Sequence, residues 1–173
     1  MTTPLRKPAV PAVLDLLLTR RSLNVSQLTD PGPTDEELET ILRIATRVPD
    51  HGKLAPWRIV VVRGEARARL GAAWADVYAR QNPDAKPELV EFERKRPLRA
   101  PLILGVHSRI VNLEKIPRWE QLLSGANVCF NALIAANALG YFGTWLSEWV
   151  AYDAEAKSVL NIAAEDEVMG YIY

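Results

Sequence analysis

The chain has 173 residues, 49% of them apolar, and its 21 Lys plus Arg balance 21 Asp plus Glu to a formal net charge of zero. That length carries a sizeable core and fits one globular domain over residues 1–173. The charge balance leaves no basic block for nucleic acid or a membrane surface, and the single cysteine, Cys129, excludes a disulfide framework or a cysteine metal site within one chain.

The N-terminal stretch MTTPLRKPAVPAVLDLLLTRRS lacks the order of a signal peptide, and no run of the sequence reaches membrane-spanning length. A soluble, cytoplasmic protein is the expectation. Pro11 opens a helix from about Ala12 to Thr19, whose Leu14, Leu16, Leu17 and Leu18 call for a core although Arg20, Arg21 and Ser22 follow at once. Thr34 reads as the N-cap of a second helix, with Asp35, Glu36 and Glu37 in its first turn and Leu38, Ile41, Leu42 and Ala45 at helical spacing. The helix should stop before Pro49.

PWRIVVVRG, bounded by Pro56 and Gly64, is a buried strand, followed by a helix from about Glu65 to Arg80. Residues 81–97 are polar and proline-punctuated, which predicts a loop with a short helix and a mobile lid. RAPLILGVHS is the second strand. The stretch from Pro117 to Gly140 is apolar or small nearly all round, with Ser124, Asn127, Asn131 and Asn137 as its polar exceptions, so it predicts a buried helix packed on its own sheet and on a second subunit. YFGTWLSEW and EVMGYIY are two further strands around a short helix in DAEAKSVLNI. This order predicts an α+β or α/β layered domain with one main sheet.

Three stretches carry candidate chemistry. Arg20, Arg21 and Ser22 offer planar guanidinium forks and a hydroxyl, a donor set suited to phosphate; the alternative is that a helix C-terminus favours cations. In RVPDHGKLAPW, Arg47, His51 and Lys53 flank a tight turn at Gly52 between a helix and a strand, a place where sites tend to lie. In GTWLSEW, Trp145 with Leu146 and Ser147 could wall a flat aromatic ligand, although Trp145 could equally be core. The sequence has no G-x-G-x-x-G, Walker A or G-x-S-x-G motif, no base pairs convincingly with Cys129, and two histidines, His51 and His107, leave little material for a metal site.

Taken in order, TRRS, PDHGKLAPWR, RAPLIL, PRWEQ and GTWLS resemble the FMN-dependent nitroreductase family, in its small single-domain branch, from about Leu14 to Tyr173. The resemblance implies an α+β nitroreductase-like fold, with a central mixed β-sheet flanked by helices and a long buried helix at a homodimer interface. FMN lies at that interface in the family. Carried over by position, Arg20, Arg21 and Ser22 contact its phosphate, ribityl chain and pyrimidine edge from one subunit. Arg47 and His51 reach it from the partner, Trp145, Leu146 and Ser147 line it, and Arg21 or Lys53 offsets charge near N1 and the C2 carbonyl. Ala135 to Gly140 matches the region assigned to the nicotinamide nucleotide.

The implied activity is an NAD(P)H-dependent, ping-pong reduction of nitroaromatics, quinones or similar flat acceptors, with the redox chemistry on the flavin and no catalytic side chain required. Two features depart from the family pattern. Relatives continue past the strand ending at Tyr173 with a tail that wraps the other subunit, and some carry a basic residue where Leu146 stands. A flavin carrier without turnover and a structural dimer whose arginines pair with carboxylates are the competing readings.

Overall fold

The computed structural model describes residues 8–173. In chain order the elements are α1 (Pro11–Thr19), α2 (Asp35–Ala45), β1 (Trp57–Arg63), α3 (Glu65–Gln81), α4 (Pro87–Lys95), β2 (Leu102–Ser108), α5 (Arg118–Ala138), β3 (Trp145–Leu146), α6 (Ala154–Ser158) and β4 (Glu167–Ile172). Thr34 caps α2 as its sequence requires: the hydroxyl accepts from the Glu37 amide, and the Glu37 carboxylate accepts from the Thr34 amide, so two otherwise orphaned donors are satisfied.

The strands form one sheet in the order β1-β2-β4-β3, and every pairing is antiparallel. This corrects the expectation of a mixed sheet. A parallel neighbour needs a crossover that returns the chain to the strand's starting end. Between β1 and β2 the chain instead makes two helices, α3 out and α4 back, and re-enters beside its exit with Leu102 opposite Arg63. β3 runs in the direction of β2, but β4 occupies the place between them.

Alternation along the central strands β2 and β4 buries residues on both faces, whereas β1, expected as a buried strand, lies at the sheet edge and buries only Val62. Leu104 and Val106 of β2, with Ile172 of β4, pack beneath α2 and α5 against Leu38, Ile41, Val128 and Cys129. Their neighbours Ile103 and Tyr171 face the other way, toward Leu70, Trp74 and Val77 of α3. There the Trp74 and Tyr171 rings meet edge to face at 5.5 Å, and the Trp74 indole donates to the Ala156 carbonyl.

Residues 81–97, expected as a loop with a short helix, hold the nine-residue helix α4, which is packed on α3. A Cβ at Gly71 would lie 2.0 Å from the Arg94 carbonyl oxygen, so only glycine permits this approach of the two helices. Glu93, Arg96 and Pro97 are buried, which makes the end of the segment part of the packed body rather than a polar flap. By contrast, α1 buries none of its residues, and Leu18 is 75% exposed. Among the described residues no helix is long and apolar enough to cross a membrane.

Candidate flavin site

The polar exceptions on α5 are its anchors. Ser124 donates to the Pro49 carbonyl, and the Asn131 amide reaches the carbonyls of Ile44 and Arg47, so the end of α2 and the turn after it are strapped to the long helix. Asn137 caps the other end through the Tyr141 carbonyl. The inward face of α5 is buried at Ser124, Gly125, Val128, Cys129, Ala132, Leu133 and Ala135. The outward face is not: Trp119, Leu123 and Phe130 remain exposed.

The turn strapped to α5 carries Arg47, His51 and Lys53. Gly52 takes φ 66°, and Lys53 and Ala55 also have positive φ, a conformation that non-glycine residues adopt rarely. The Asp50 carboxylate accepts from the Ala55 amide at 2.7 Å and braces that geometry. His51 Nδ1 lies 2.6 Å from Glu120 Oε2. Two separate motifs, PDHGK and PRWEQ, thus meet through one contact, and Glu120 is a site neighbour that the sequence reading did not single out.

At the end of α1 the structure divides the two arginines. Arg21 folds back on the carbonyls of Leu18, Thr19 and Arg20, which is the helix-terminus role of a cation. Arg20 instead points to Ser22, Nη2 to Oγ at 3.5 Å, and the two present donors side by side. Among the described residues no carboxylate lies within ion-pair distance of Arg20, Arg21, Arg47 or Lys53.

On the opposite edge of the sheet, the Trp145 indole lies across Gly170, where a Cβ would sit 1.9 Å from Nε1. That nitrogen donates to the Met169 carbonyl at 2.8 Å, and Trp145 stays 38% exposed. The ring is therefore fixed in place and offered to solvent, neither core nor loose. Leu146 is half-buried, and the Ser147 hydroxyl accepts from Tyr152 at 2.9 Å. The strand expected over YFGTWLSEW is only Trp145–Leu146, extended by the backbone pairing of Thr144 with Tyr173.

No hydrogen bond or ion pair within the described residues joins Arg20–Ser22 to the His51 turn or to Trp145–Ser147. Nor does any of these side chains line the apolar cavity of about 380 Å³ beneath residues 23–33, which touches Ala136 and Gly140 of the segment matched to the nicotinamide nucleotide. Other reactive groups are withdrawn from use. Burial pushes the Cys129 thiol up to about 12. Burial also lowers the His107 pKa further than Asp166, 3.3 Å away, raises it.

The sequence profile of the Nitroreductase family matches residues 17–173. The chain belongs to the Nitroreductase family. It is 34% identical over 160 residues to the Escherichia coli K12 protein provisionally named NAD(P)H nitroreductase YdjA, a match that covers 92% of this chain and 85% of that one. A Haemophilus influenzae protein provisionally named NAD(P)H nitroreductase is also 34% identical, with the same coverage. Among solved structures, a nitroreductase-like family protein from Bacillus cereus superposes with TM-score 0.74 at 19% identity, over all of this chain and 86% of that one. A Bacteroides fragilis nitroreductase with bound FMN gives TM-score 0.65 at 19% identity, over 92% and 85%. The α+β fold is thus that of the nitroreductases.

Proposed function

We propose that the protein is an FMN-dependent oxidoreductase that takes electrons from NAD(P)H and reduces nitroaromatics, quinones or similar flat acceptors. The observation that carries this reading is the set of cations at the family's cofactor positions: Arg20, Arg21, Arg47 and Lys53 all lack carboxylate partners among the described residues, whereas eight of the fifteen other described lysines and arginines have one. Exposed guanidinium groups left without counter-ions fit a phosphate-bearing ligand, whereas a purely structural pair would be neutralised within the chain.

When bound, FMN supplies the redox chemistry, accepting hydride from the nicotinamide and passing electrons to the acceptor. Arg20 and Ser22 grip the phosphate and ribityl chain, and Arg21 keeps the rest of its fork free beside the helix end. Trp145 walls the ring system, with Leu146 and Ser147 beside it. Arg47 and His51 serve the site of a second copy, which explains why the groups stay apart in one chain. Lys53 or Arg21 provides positive charge near the pyrimidine edge, where reduction builds negative charge. One slot then admits donor and acceptor in turn, which gives ping-pong kinetics.

The second copy also accounts for the exposed apolar faces of α1 and α5, Leu14, Leu17 and Leu18 on one and Trp119, Leu123 and Phe130 on the other. Fully burying a side chain of this kind contributes ~1.5–3 kcal/mol, so a homodimer over these faces is favoured.

The test is the visible absorption spectrum of the purified protein after incubation with FMN and desalting, followed by anaerobic addition of NADPH or NADH. Retained flavin bands that bleach with either nucleotide are expected. Flavin that binds and stays oxidised would leave a carrier, and protein that refuses FMN would end the reading.

A further inference from the structure

Glu148 directly follows the Trp145–Ser147 segment and takes φ 56°, ψ 178°. That region of backbone space is essentially reserved for glycine, and a residue with a Cβ persists there only where its surroundings over-determine it. Here the surroundings are two arginines and a second carboxylate. Arg99 forks onto the Glu148 carboxylate, Nη1 to Oε1 at 3.0 Å and Nη2 to Oε2 at 2.5 Å, while Arg96 Nη1 pairs with Oε1. Arg96 is itself 5% exposed and grips Glu93 with Nε and Nη2, both at 2.6 Å. Glu93 also accepts from the Trp149 indole at 2.7 Å, and Arg99 donates to the Tyr173 hydroxyl at 2.9 Å with its guanidinium 4.8 Å over that ring.

Burial opposes the charge on Glu148, yet the hydrogen bonds from Arg99 and Arg96 outweigh it and hold the carboxyl below its ordinary range. The cluster is therefore charged and locked. It also flanks the neighbouring segment at both ends: Glu148 directly follows Ser147, and Tyr173, whose hydroxyl accepts from Arg99, pairs its backbone with Thr144 just before Trp145. A structural ion pair has no need of a strained backbone, and here the strain falls at the residue next to the segment assigned to the flavin.

We propose that Arg96 and Arg99, carried at the end of the 81–99 segment, are positioning residues that hold Glu148 in a glycine-type backbone and so set the Trp145–Ser147 segment against FMN. This rests on the functional reading above for the assignment of that segment. It makes the face of the domain that carries α4 a determinant of flavin binding without any side chain there touching the cofactor.

The experiment compares Glu148→Ala with Glu148→Gly. Both remove the carboxylate, but only glycine takes the observed backbone at no steric cost. Positioning through the backbone predicts FMN affinity in the order wild type, Glu148→Gly, Glu148→Ala, with alanine about tenfold weaker than glycine, the scale of strain in this region. Stability alone should also favour glycine over alanine, because a Cβ is strained in this backbone, so a cluster acting only on stability is recognised by equal FMN affinity of the two folded variants. Alanine binding FMN as tightly as glycine overturns the proposal.

Hydrogen exchange of the Trp145–Ser147 amides in flavin-free protein is the companion readout. Protection should fall in Glu148→Ala and hold in α2, and unchanged protection at Trp145–Ser147 overturns the proposal. Wild type that refuses FMN therefore sinks the functional reading, while exchange still decides the clamp. Should Glu148→Ala fail to fold, Arg99→Lys takes its place, since lysine keeps the charge and loses the fork. It should weaken FMN binding several-fold in wild type and have no further effect in the Glu148→Gly background. An equal effect in both backgrounds overturns the proposal.

Discussion

Two pairs of arginines, Arg20 with Arg21 and Arg96 with Arg99, meet opposite fates in one fold. The first stands at the end of a helix with no buried residue, free of carboxylates among the described residues and open to a ligand. The second closes a helix packed on α3 and is consumed by Glu93, Glu148 and Tyr173. Side-chain type is the same in both. What differs is desolvation: a buried guanidinium must find its counter-charge within the protein, whereas an exposed one can wait for a phosphate.

The largest effect that sharpens this contrast is expected from Arg96→Ala. Removing it leaves Glu93 and Glu148 with carboxylates already taken out of water, and breaking a buried pair in this way costs about 3–5 kcal/mol. Urea unfolding measures it, and a loss under about 1 kcal/mol would mean that water reaches the cluster. Arg20→Ala and Arg21→Ala should do the reverse, changing stability by no more than about 0.5 kcal/mol while weakening FMN binding about tenfold each, the worth of a hydrogen bond to a charged group. A fluorescence titration of apoprotein decides that, and equal flavin affinity in variant and wild type would remove the arginines from the site.

The smallest effect is in pH. Glu148 is held below its ordinary value of 4.5, so its pairing stabilises the fold fully above that value and is lost as pH falls through the lower folded value. The urea midpoint of wild type minus that of Glu148→Gln should stay constant above about pH 5 and shrink below about pH 4.5. A difference that grows on acidification would contradict the charged pair.

Much of the fold was legible from local rules. The Thr34 cap, the strand between Pro56 and Gly64, the helix α3 (Glu65–Gln81) and the long α5 follow from capping residues, β-branching and punctuation by proline and glycine, all of which act within a few residues. The expected mixed sheet gives way to an antiparallel one because strand direction depends on where two helices return the chain. The short helix in 81–97 is legible from its punctuation, but its charged Glu93 and Arg96 read as exposed, and only the fold shows them paired and buried. Residue type leaves Trp145 open between core and ligand wall, and in the fold its indole lies on Gly170 and stays 38% exposed, so it is not core.

For the site, the sequence alone determined the candidate groups, their order along the chain and the family they resemble, because these depend on residue type and spacing. It also placed the turn at Gly52, since positive φ is a local demand. Only the tertiary structure decided that Arg21 caps a helix while Arg20 turns to Ser22, that His51 meets Glu120 across 69 positions, and that Glu148 sits in strained backbone between two arginines. The contacts of Arg20 and Arg21 span at most three positions and choose between alternatives the sequence leaves open. The His51 and Glu148 pairings turn on which distant groups the fold brings together, and no local pattern encodes that.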